Sequence, residues 1–143
     1  MYDAFVLPDG ATALVIGDVV GHDLAAAAGM AQVCNMLRAY VGAEQEPPSA
    51  NLDRLDRAVA RMARATMATV VLARLDGCCA GATRLLLGTG IRDDRADAVV
   101  ELPPESTLLL YTDGLIEPPH HCLDVGPARL SRYATSHAVQ GRH

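Results

Sequence analysis

The chain has 143 residues, half of them hydrophobic and 20% charged, with a net charge of −5. Length and apolar content suit one domain, residues 1–143, with a single core, and exclude a disordered chain. The acidic balance, with no cluster of Arg, argues against a nucleic-acid surface, and no apolar run approaches the roughly eighteen residues of a membrane-spanning helix.

Aromatics are scarce, four Tyr and one Phe with no Trp, so the core must be built from Val, Leu, Ile, Met and Ala. Cys34, Cys78, Cys79 and Cys122 show no Cys-x-x-Cys spacing. That argues against a disulfide framework or a structural zinc site and for reduced thiols. Met1-Tyr2-Asp3 carries neither a basic region nor an apolar signal core, so a cytoplasmic location is expected.

Ala4–Leu7 and Ala11–Ile16 flank Pro8-Asp9-Gly10 and predict a hairpin, since Pro fixes φ and Gly supplies the positive φ of the turn. The second strand runs into Gly17-Asp18. A helix follows from Leu24 to Tyr40, with Asp23 as its cap and Leu24, Ala27, Ala28, Ala31, Cys34 and Leu37 as its inward face. After a polar loop, Ser49 reads as the N-cap of an amphipathic helix whose apolar face is Leu52, Leu55, Val59, Met62 and Thr66.

Ala68–Leu75 predicts a strand closed by an Asp76-Gly77 turn, and Thr83–Leu87 another, with a loop over 88–95. Ala98–Leu102 and Thr107–Tyr111 predict two strands joined across Pro103-Pro104, and Asp124 to about His137 a last helix with Leu130 and Tyr133 inward. Strands, two helices, strands and a helix make an α+β pattern with antiparallel sheet.

Asp18 and Asp113 each follow an apolar strand and adjoin a Gly. Two carboxylates at strand ends with no matched nucleophile suit hard-cation chemistry, Mg²⁺ or Mn²⁺, in which a metal pair activates water for attack on phosphorus. Read alone, both residues are equally turn or cap positions. His22 fits either a proton donor beside that site or a plain turn residue. His120-His121-Cys122 has the residue types of a soft-metal site, but neighbouring ligands in a Pro-rich loop need further partners to hold an ion.

Gly17-Asp18-Val19-Val20-Gly21-His22, with Ala26-Ala27 and Met30 after it, and Leu109-Leu110-Tyr111-Thr112-Asp113-Gly114-Leu115-Ile116-Glu117 resemble the stage-II-sporulation-E type of bacterial serine/threonine phosphatase, a branch of the metal-dependent PPM (type 2C) phosphatases. Tyr2-Asp3-Ala4-Phe5, Leu7-Pro8-Asp9-Gly10, Met67–Val71 and Val100–Pro104 carry the resemblance over nearly the whole chain. It implies an αββα sandwich of two antiparallel sheets flanked by helices, with two Mn²⁺ or Mg²⁺ ions at one end. Asp18 would bridge the metals, the Val19 carbonyl would support one, and Asp113 would ligate the other side. The implied substrate is a phosphorylated anti-anti-sigma-type protein in a bacterial signalling system.

Three departures from the family pattern accompany the resemblance. The acidic residue usual before the opening aromatic-Tyr-Asp is missing, and Asp3 matches the later Asp of that motif. The Ala-Gly-His-Pro stretch is lacking, with Cys79-Ala80-Gly81 as its remnant between strands. The Asp-Asp before a final strand is also absent. These departures set a second expectation beside the enzyme: a shortened, catalytically impaired domain that binds a signalling partner. Such a domain would bind metal weakly and pair through an exposed sheet edge, as in a homodimer.

Overall fold

The computed structural model describes residues 1–43, 46–62, 67–87, 89, 96–112 and 125–138. Two compact units make up the chain, Met1–Pro104 and Glu105–His143. The first contains β1 (Tyr2–Val6), β2 (Thr12–Val19), α1 (Leu24–Ala43), α2 (Pro48–Val59), β3 (Ala68–Asp76), β4 (Cys79–Leu87) and β5 (Ala98–Glu101). The second contains α3 (Val125–Ala138).

The five strands form one antiparallel sheet in the order β1-β2-β3-β4-β5. The expected hairpin opens it: Gly10, at φ +88°, donates its N–H to the Leu7 carbonyl at 2.9 Å, and Leu7 donates to Ala11 at 2.7 Å. Alternation then sorts the side chains. Ala13 and Val15 of β2 and Ala68, Val70 and Leu72 of β3 are buried in one cluster with Val33, Leu37 and Val41 of α1 and Leu52, Leu55 and Val59 of α2. Both helices therefore lie on one face of the sheet, and the core is aliphatic, as composition required. Asp18 is out of phase with Val15 and Gly17 and belongs to the opposite face.

The inward stripe of α1 differs from the expected one. Gly29, Val33, Leu37 and Val41 are buried, whereas Leu24 is 87% exposed and Ala27, Ala28 and Ala31 are exposed. Branched side chains spaced four apart bury more apolar area than Ala does, so they decide which way the helix rolls. Cys34 is half-buried, and the helix continues to Ala43.

In α2, Leu52, Leu55 and Val59 are fully buried as expected, and Met62 packs partly against the core. The helix ends at Val59, and Thr66 lies outside the described residues. Its cap differs: the residue at the N-cap position is Pro47, Pro48 occupies the first turn, and Ser49 is itself the recipient of a cap. The Asp97 carboxylate accepts the Ser49 N–H at 2.9 Å and the Ser49 hydroxyl at 2.6 Å. A distant carboxylate can satisfy a first-turn N–H as a local side chain would, and it meets the positive end of the helix dipole.

β4 begins at Cys79, four residues before the expected strand, so Cys79-Ala80-Gly81 is part of the ladder, paired with Asp76, Leu75 and Arg74 and with β5. Asp76-Gly77 makes the expected turn, with Gly77 at φ +57°. In the second unit, Thr107–Tyr111 carries no strand ladder. A Leu-rich run has strand propensity, but a strand exists only where a neighbour accepts its hydrogen bonds. In α3, Leu130 is half-buried, while Tyr133 is 64% exposed, against the expectation that it faces inward.

Candidate metal-binding site

Asp18 is held from both sides along β2. It faces Thr69 across the β2–β3 ladder, and Val19 faces Ala68. Before it, Gly17 donates its N–H to the Met1 carbonyl at 3.0 Å; after it, Val20 donates to the Met67 carbonyl at 2.9 Å. The carboxylate itself is exposed, and its Oδ1 accepts the Val19 N–H at 3.1 Å. A solvent-facing carboxylate on a fixed backbone suits a hard-cation ligand.

The two glycines of the motif have separate physical reasons. A Cβ at Gly17 would lie 2.6 Å from the Thr69 carbonyl oxygen, so the close approach of β2 and β3 beside Asp18 excludes any side chain there. Gly21 has φ +113°, a conformation open to glycine and strained for other residues. It turns the chain from β2 toward α1, where Asp23 caps the helix as expected: Ala26 N–H donates to Asp23 Oδ1 at 2.7 Å. His22 lies in that turn and is exposed.

Asp3 is not available beside Asp18. It lies opposite Val15 on the helix-bearing face, where Arg38 grips it with two bonds, Nε to Oδ2 and Nη2 to Oδ1, both 2.6 Å. The guanidinium also stacks on the Phe5 ring at 5.1 Å. The hydrogen bond from Arg38, against a smaller opposing effect of burial, holds the Asp3 carboxyl below the usual aspartate range. Nothing in residue order pointed to this clamp, because Asp3 and Arg38 are brought together by the packing of α1 on β1.

Among the described residues no three His, Cys, Asp or Glu side chains converge as a ligand set. Of the expected ligands, Asp18 and Val19 are described; Asp113 lies outside the described residues, as do Glu117, His120, His121 and Cys122. Among the described residues no helix is long and apolar enough to cross a membrane.

One antiparallel sheet backed by two helices, with Asp18 on its other face, is what the described residues show of the α+β class expected of a PPM-type phosphatase domain. The sequence profile of Stage II sporulation protein E (SpoIIE) matches residues 8–77 and 78–142, and the chain belongs to that family. It is also similar to the crystal structure of the RsbU and RsbW domains of Rv1364c from Mycobacterium tuberculosis, with a TM-score of 0.82 and 28% identity. That match covers 96% of this chain and 45% of the other, so the chain spans less than half the length of the chain it matches. Family and neighbour together mark a signalling phosphatase-type domain.

Proposed function

We propose that the chain works as a metal-dependent phosphoserine/phosphothreonine phosphatase domain in a bacterial signalling system. Asp18 and Asp113 would hold Mn²⁺ or Mg²⁺ together with the Val19 carbonyl, and His22 would donate a proton to the departing side-chain oxygen. The cations would lower the pKa of a bound water and offset phosphate charge. The observation that carries the reading is the exposed Asp18 carboxylate on a backbone pinned at Gly17 and Val20, within a chain of the SpoIIE family. The pairing of RsbU with RsbW in the similar structure supports a phosphorylated anti-anti-sigma-type regulator as substrate.

A second reading has its own observation. Arg38 commits Asp3 to the helix-bearing face, which removes one carboxylate from the neighbourhood of Asp18. A domain short of ligands would bind a signalling partner without turnover. Self-association belongs to this reading too, through β5, whose four residues are all exposed at the sheet edge.

Phosphate release from a phosphoserine regulator and from an aryl phosphate, with excess Mn²⁺, separates the two. The enzyme reading expects slow, chelator-sensitive turnover that Asp18→Ala abolishes. Metal binding at Asp18 with no release from any phosphoprotein leaves the partner-binding reading.

A further inference from the structure

The β3–β4 turn carries a pair of side chains that phosphate chemistry does not use. Asp76 and Cys79 are paired positions closing the hairpin, and Cys78 and Cys79 are adjacent free thiols whose Sγ atoms lie 4.0 Å apart. Cys78 is exposed and Cys79 half-buried. The backbone beneath them is fixed: the Cys78 carbonyl accepts the Leu102 N–H at 2.6 Å, and Cys79 pairs with Asp76 on one side and Glu101 on the other. Cys79 is thus held between β3 and β5, with Cys78 beside it in the turn.

We propose that Cys78 and Cys79 form a two-sulfur site for a soft monovalent cation of the Cu(I) class, a role independent of the phosphatase reading. Thiolates favour soft cations such as Cu(I). Two alternatives fare worse on geometry. A disulfide usually joins residues whose Cα atoms lie about 4.4–6.8 Å apart, more than the roughly 3.8 Å between neighbours in a chain. A structural zinc ion calls for about four ligands, and among the described residues no three ligating groups converge. A cation seated between sulfurs 4.0 Å apart needs only two ligands and little movement of the turn.

The surroundings attract a free cation, while the loaded site, with two thiolates and one Cu(I), carries a net charge of −1. Asp76 and Glu101, opposite Cys79 in the two ladders, put carboxylates on either side of it. On binding, two S–H bonds give way to two S–Cu bonds, both protons go to water, and copper remains Cu(I) with no electron transferred.

The test titrates the whole chain, reduced and without oxygen, with Cu(I) against a coloured Cu(I) chelator. The wild type is expected to withdraw one equivalent, and Cys34→Ser and Cys122→Ser to do the same. Cys78→Ser and Cys79→Ser should each lose an order of magnitude or more in affinity, with circular dichroism unchanged. Undiminished capture by the double Cys78→Ser/Cys79→Ser variant overturns the proposal. So does full conversion of the pair by dilute hydrogen peroxide to a disulfide, read as two hydrogens lost from the peptide carrying both cysteines, because the sulfurs would then approach each other more readily than the geometry allows.

Discussion

Gly17 shows how a motif letter becomes a physical requirement. The sequence places a glycine before Asp18, but only the β2–β3 pairing explains it, through a carbonyl oxygen 2.6 Å from where a Cβ would stand. Gly17→Ala should therefore destabilise the fold by about 1–3 kcal/mol through overpacking, seen as a lower thermal midpoint. Asp3 gives the opposite lesson. Its motif position gave it no role, and the partner that assigns one is 35 residues away on a helix. The sign of its pH effect follows from its lowered pKa. Asp3 ionises more readily folded than unfolded, so the stabilisation is present above the ordinary carboxylate pKa near about 4 and is lost as pH falls through the folded value. Arg38→Ala should lower the denaturation midpoint at neutral pH and converge with the wild type in acid.

Elements whose period was strong in sequence were the legible ones. Leu52, Leu55 and Val59 define α2 from spacing alone and are all fully buried. Leu55→Ala should cost about 2–5 kcal/mol, measurable by urea denaturation. On α1 the expected Leu37 is buried and Cys34 half-buried, but Ala suits buried and exposed positions alike, so the roll of the helix is set by Val33, Leu37 and Val41. The cap of α2 could not be read locally, since Asp97 lies 48 residues from Ser49. Asp97→Ala should remove both bonds and destabilise the domain by about 0.5–2 kcal/mol, in the range of other lost helix caps. An unchanged urea midpoint would mean that water replaces the carboxylate at no cost.

For the molecule as a whole, the α+β class was legible because alternating and helical periods occur in separate blocks, and the SpoIIE match and the 0.82 TM-score agree with it. The β1–β2 and β3–β4 hairpins followed from turns at Pro8-Asp9-Gly10 and Asp76-Gly77, which have local chemistry. The β2–β3 and β4–β5 pairings join strands separated by helices or a longer stretch of chain and carry no such local signal. The Thr107–Tyr111 run was overread because strand propensity does not name a partner. At the candidate site, the sequence named Asp18 and Asp113; the helix after Asp18 is capped by Asp23 as expected, and Asp113 lies outside the described residues. The proposed function depends on Asp18 as a ligand for a hard cation, which calorimetric titration with Mn²⁺ measures. Wild-type chain should bind weakly, since a cation with few protein oxygens completes its shell with water, and Asp18→Ala, folded by circular dichroism, should bind more weakly still. Equal binding by the two proteins would contradict the claim.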